Sequence, residues 1–196
     1  MRSILRVASL LLLAVSGLVC AAFAGGPIPF VDAVAKAETP VAGKEYYARH
    51  SFMYEEGKHI TTNYWRGTLV PINSRIKVEA ATASKLLLRV VETGETIDVD
   101  NIAKFTKCDL RGIARRMLSV RPVDLGDCDK ATVDAIKSGT MLRGMTKDQV
   151  LMARGFPPAH KTPVLSSDRW QYWSSRFVVQ TIVFADGKLL DGRGVN

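Results

Sequence analysis

The stretch "LRGMTKDQVLMARGFPP", Leu142 to Pro158, decides the fold of the second half of this chain. Thr146 and Gln149 stand at the T-x-x-Q spacing of a capping box: the threonine oxygen accepts from the N3 amide, and the glutamine returns to the cap amide. Val150 and Ala153 sit three apart on one helical face, and Met145 precedes the cap in position for a hydrophobic staple. Gly155 can take the left-handed conformation that closes a helix, and Pro157-Pro158 prevent continuation. These residues set the start, stop and exit of one short helix. That is fold specification and needs no chemistry.

Working outward, "DKATVDAIKSG" reads as a preceding helix with Asp129 as N-cap and Gly139 as its stop. Downstream, "DRWQYW" is a strand, and "FVVQTIVFADGKLLDG" is a strand pair turning at Asp186-Gly187. The order helix, helix, strand, strand, strand over residues 129–196 implies a three-stranded antiparallel sheet with both helices on one face, which buries both apolar surfaces. The class expected for the whole chain is α+β.

The residues Gly144-Met145-Thr146, Val150, Gly155-Phe156-Pro157 and Trp170-Gln171-Tyr172, followed by "FADGKLL", resemble the SmpA/OmlA (BamE-like) domain of bacterial envelope proteins. The resemblance covers about the last third of the chain. It implies a two-layer ααβββ fold, residence in the periplasm or at the outer membrane, and a non-enzymatic accessory role in outer-membrane protein assembly. The chain departs from the family's assembly factor in lacking a lipidation signal and in carrying a β-rich region ahead of the domain.

That region, residues 45–106, reads as short strands. "HITTNYW" is β-branched and aromatic, and "SRIKVEA" alternates Ile76, Val78 and Ala80 with Arg75, Lys77 and Glu79. "KLLLRVVETGETIDVDNI" is a strand pair around a turn at Gly94, with Ile97 and Val99 opposite Asp98 and Asp100. Four or five short strands suggest a small, barrel-like N-terminal domain. Residues 107–128 form a helical connector: Asp109 caps a helix whose stripe is Leu110, Ile113, Ala114, Met117 and Leu118. Arg111, Arg115 and Arg116 lie off that stripe, as an anion- or partner-binding face or as the solvated side of a packed helix.

The N-terminus has Arg2 and Arg6, an apolar run from Val7 to Ala24, and Ala22-Phe23-Ala24 before Gly25, the three regions of a secretory signal peptide. Cleavage is favoured over a retained anchor. Val19 stands where bacterial lipoprotein signals carry a small residue, which argues against lipidation at Cys20. Residues 25–44, with Pro27, Pro29 and Pro40, read as a flexible leader. Losing the two arginines lowers the formal charge from +8 to +6, a moderate basicity better suited to anionic lipid, cell-wall polymer or acidic protein surfaces than to nucleic acid. Beyond the signal only Cys108 and Cys128 remain, an even count for an oxidising compartment, and a disulfide between them is expected. Closing that loop would contribute about 3 kcal/mol.

The chemistry-bearing residues are sparse. His50, His59 and His160 stand at no metal-ligand spacing, no CxxC is present, and no G-x-S-x-G, HExxH or phosphate-cradling loop occurs. No metal or cofactor is expected. A hydrolase with Cys108 as nucleophile and His59 or His160 as base is the catalytic alternative. Glu55-Glu56 beside Gly57 reads as a solvated turn. On the aromatic strand, Trp170 and Tyr172 share one face and Gln171 and Trp173 the other. With the first pair in the core, Trp173 either faces outward between Arg169 and Arg176 as a partner-binding residue, or is covered by the N-terminal domain. The candidate partner surface is therefore Trp173, Arg169 and Arg176, with Arg111 and Arg115 on the connector helix. The functional expectation is an exported envelope interaction protein. A cell-wall or polysaccharide binder and a secreted inhibitor are the alternatives.

Overall fold

The computed structural model describes residues 28–62 and 64–196; the expected signal peptide, its expected cleavage site and Cys20 lie outside the described residues. The α+β class holds, with two hydrophobic cores, one under a mixed β-sheet and one between helices and a meander.

The chain enters through helix α1 (Pro29–Ala35), where Pro29 supplies a backbone already set for the first helical position. Phe30 and Val34 are four residues apart, hence on one face, and both are buried in the core of the C-terminal half. The Phe30 N–H donates to Asp148 Oδ1 at 2.8 Å. The expected flexible leader is thus corrected over this stretch: alanines and a proline at N1 favour the helix, and two apolar side chains anchor it.

Strands β1 (Glu45–Ala48), β2 (Phe52–Tyr54), β3 (Lys58–Ile60), β4 (Thr68–Val70), β5 (Arg75–Ala81), β6 (Leu86–Val90) and β7 (Thr96–Asp100) build the β-rich lobe. Helices α2 (Ala103–Thr106) and α3 (Leu110–Met117) follow, and the chain runs from α3 directly into β8 (Leu118–Ser119). The six-stranded sheet has the order β3-β7-β6-β5-β1-β8, and β2 pairs separately with β4. Alternation on β5 is as the sequence implies, with Ile76 and Val78 fully buried and Arg75 exposed, until a register shift between Val78 and Ala80. Ile97 and Val99 face the core and Asp98 and Asp100 face out. The barrel-like expectation is corrected: the sheet is open. Its end strands, β3 of three residues and β8 of two, do not pair with each other and are too short to support closure. "HITTNYW" is strand only as far as Ile60; Tyr64 and Trp65 leave the sheet to reach the other lobe.

Residues 107–128 are no connector. Asp109 Oδ1 accepts from the Gly112 N–H at 2.7 Å, capping α3 as expected, but Ile113, Ala114, Met117 and Leu118 belong to the β-lobe core and β8 extends its sheet beside β1. The expected disulfide is likewise absent: Cys108 and Cys128 are both free thiols. Cys108 packs on the β-lobe core and Cys128 on the other core, where its sulfur accepts from Gln149 Nε2 at 3.4 Å. Residues 120–127, after β8, carry the chain from one core to the other, with Val123 and Leu125 already packed on the C-terminal core, so sequence proximity does not bring the sulfurs together.

The C-terminal lobe has the expected order. Helices α4 (Lys130–Ser138) and α5 (Lys147–Arg154) precede the antiparallel meander β9 (Arg169–Ser175), β10 (Val178–Ala185) and β11 (Lys188–Gly192), ordered β11-β10-β9. Asp129 caps α4, and Gly139 closes it in the left-handed region. The capping box of α5 is complete: Gln149 N–H donates to Thr146 Oγ1 at 3.2 Å, and Thr146 N–H donates to Gln149 Oε1 at 2.8 Å. Gly155 has φ 69° but ψ −168°. It leaves the helix through a region open essentially to glycine alone, rather than through the left-handed helical cap the sequence suggests. Trp170, Tyr172, Ile182, Phe184 and Leu189 form the inner sheet face against Ile136, Val150 and Leu151.

Candidate interaction groove

The lobes are riveted at Ser51. Its N–H donates to Met152 O at 2.9 Å, its hydroxyl donates to Ile136 O at 2.7 Å, and the same oxygen accepts from Ile72 N–H at 2.9 Å. Ile72, from the β-lobe, is itself buried in the C-terminal core. Next to this rivet, His50 and His59 lie edge-on to either side of Phe52, at ring-centroid distances of 6.2 and 5.1 Å. Each donates its Nδ1–H to a backbone carbonyl, His50 to Ser51 O at 3.0 Å and His59 to Met53 O at 2.8 Å. Both line a cavity of about 30 Å³ with Thr61, Thr106, Arg116 and Phe156. Burial pushes both histidines down to about 4; for His50, His59, Arg49 and Arg116 push the same way, against the raising effect of its backbone hydrogen bond.

Farther along the junction the lobes separate into a cleft of about 540 Å³. One wall is the β2–β3 hairpin, contributing Met53, Tyr54, Glu55, Glu56, Lys58 and Ile60; the other is the β9–β10 turn, Ser175 to Phe177, with Tyr64 and Arg66 between. The hairpin turn is tight because Glu56 and Gly57 both have positive φ, 50° and 72°, and Glu55 and Lys58 exchange backbone hydrogen bonds at 2.9 Å each. The turn expected at Glu55-Glu56-Gly57 is therefore present, and it forms a wall of the groove. Arg66 pairs with Glu55. Gly67 behind it has φ 94°, and a Cβ there would strike the Tyr54 carbonyl oxygen. Only glycine lets the Tyr64–Arg66 segment lie this close to β2. On the far wall Phe177 is 87% exposed, with the Arg176 guanidinium 5.6 Å from its ring.

The candidate residues do not gather in one place. Trp173 faces the outer side of β9, as the alternation implies, but it is half-buried and covered: Tyr64 stacks on it at 5.9 Å and 8°, with Phe105 at 5.6 Å and His160 at 5.4 Å. The outward, partner-binding reading of Trp173 is corrected, because the β-lobe supplies two rings, Tyr64 and Phe105, and the C-terminal lobe a third, His160, to cover it. Arg176 lines the groove, whereas Arg169 is exposed at the other end of β9, opposite Val183. Arg111 and Arg115 belong to α3, away from the groove lining. Arg111 is exposed, and Arg115 Nη1 donates to Thr39 Oγ1 at 2.9 Å.

Sequence reasoning missed Tyr54, Tyr64, Arg66 and Phe177. One signal was available, an arginine and a phenylalanine at the tip of a hairpin, where apolar residues have no local role.

Among the described residues no group of three His, Cys, Asp or Glu side chains is placed to hold a metal ion. Nor does any hydrogen bond join Cys108 to a histidine: His59 Nδ1 engages Met53 O, and His160 packs on Phe105 at 4.4 Å. Compared with known proteins, the chain matches no family model, no curated protein and no solved structure.

Proposed function

We propose that this is an exported envelope protein that binds another envelope protein through the groove between its lobes, with a SmpA/OmlA-type C-terminal half and a role in outer-membrane protein assembly or envelope integrity. The observation that carries the reading is Phe177, held out on a hairpin tip at 87% exposure beside a cleft lined by Tyr54, Tyr64, Met53, Arg66 and Arg176. Phe, Tyr, Met and Arg are the residue types enriched where proteins bind proteins, and aromatic and arginine anchors carry most of such binding energy. The signal-peptide pattern and the resemblance of residues 144–172 support the location.

The test is affinity capture with crosslinking from the organism's own envelope, comparing the parent with Phe177→Ser. The expected result is an outer-membrane assembly component recovered by the parent and lost in the variant. Identical captures from both proteins, or retention on purified cell wall with no protein recovered, would overturn the reading.

A further inference from the structure

The charges in the groove are unequally matched. Glu55 is held by Arg66, which removes one carboxylate and one guanidinium from the account. What remains is Lys58 and Arg176 against Glu56. Among the described residues neither of those two cations has a carboxylate at ion-pair distance. The cleft therefore presents a surplus positive charge between aromatic walls, one cation on each wall.

The cleft is also two-walled. Lys58 and Ile60 belong to β3, which has β7 on one side and, on the other, the β2 arm of its own hairpin, where the Lys58 N–H and carbonyl are already bonded to Glu55. Lys58 therefore offers a ligand its side chain rather than its main chain. The facing wall carries Phe177.

From these observations, and resting on the interaction reading above, we infer that the groove takes an acidic segment of a partner protein, with carboxylates between Lys58 and Arg176 and apolar side chains against Tyr54, Tyr64 and Phe177. The chemistry is that of a short chain alternating acidic and large apolar residues. The volume is within the roughly 300–1,000 Å³ of well-formed ligand clefts. Since both lobes contribute a wall, occupancy also braces the junction.

Two fluorescein-labelled heptapeptides test this: one with two aspartates set between phenylalanine and leucine, and the same peptide with lysines in place of the aspartates. Fluorescence anisotropy should show the acidic peptide binding at least tenfold more tightly, with affinity falling as salt is raised toward a Debye length of about 3 Å at 1 M. Lys58→Glu with Arg176→Glu should remove that preference, and Phe177→Ser should weaken binding about tenfold. Arg111→Glu, an equal type of charge change outside the groove, should leave binding as in the parent. Thermal melts of each variant identify any that fail to fold. Equal binding of the two peptides, binding of neither at millimolar concentration, or an equal loss in Arg111→Glu would overturn the inference. If envelope capture still depends on Phe177 while the acidic peptide fails, the interaction reading stands and the acidic specificity falls. If capture no longer depends on Phe177, the interaction reading falls with it.

Discussion

At Ser51 the two lobes meet through a hydroxyl bonded on both sides and two histidines shut away from water; at Tyr64, Arg66 and Phe177 they meet around open space. The first junction is closed and internally hydrogen-bonded, so its residues are accounted for by folding. The second leaves a phenylalanine and two cations in solvent, which folding does not require. Buried polar groups in a protein are paired because leaving them unpaired is costly, and exposed large apolar side chains beside a cleft persist without such a constraint. The contrast separates what holds the lobes together from what they leave open to solvent.

The largest effect should come from acid at the closed junction. His50 and His59 have folded-state values of about 4, below the ordinary 6.5, so between these values the unfolded chain binds more protons than the folded one. Stability is then fully present above pH 6.5 and falls as pH drops toward 4, by about 3 kcal/mol per histidine. Urea unfolding at pH 7 and pH 4.5 should show this loss, and His50→Gln with His59→Gln should flatten the slope. A parent-like slope in the double variant would place the acid sensitivity elsewhere.

Ser51→Ala attacks the same junction without protons. It leaves the buried Ile72 N–H and Ile136 carbonyl without this partner and should cost about 2–3 kcal/mol, read as a lower urea midpoint. A midpoint within error of the parent would mean that Ser51 does not rivet the lobes.

Gly155→Val tests the exit of α5. A β-branched residue at φ 69° and ψ −168° should cost on the order of 1–3 kcal/mol and lower the melting temperature. An unchanged melt would remove the helix-exit assignment. The smallest change in stability belongs to the groove: Phe177→Ser should shift it by under about 0.5 kcal/mol, while removing partner capture. A large loss of stability there would turn the hairpin tip into a structural element and erase the contrast between the junctions.

The parts of this fold legible in the sequence are those in which a few neighbouring residues answer each other. Thr146 and Gln149, Asp129 and Gly139, and the alternation through Ile76 and Val78 act over one turn or one strand, and each appears where the spacing places it. The Asp186-Gly187 turn is of the same kind, with both residues at positive φ. Where the outcome depended on distant partners, the pattern was silent or misleading. Phe30 and Val34 make α1 ordered only because a core more than 100 residues away receives them. The cysteine count suggested a bridge, but the pairing of two sulfurs is a matter of distance, and Cys108 packs on one core while Cys128 packs on the other. Trp173 needed Tyr64, Phe105 and His160 to settle its exposure. The groove is the extreme case. It arises between Lys58 on one lobe and Arg176 on the other, and no local motif encodes their approach.

The central claim, that the open junction is the binding face, is tested most directly by a photo-crosslinking amino acid placed in turn at position 177 and position 111 in the native envelope. The account predicts a discrete protein adduct from position 177 and none from position 111. An adduct from position 111 alone would contradict it and move the binding face to α3.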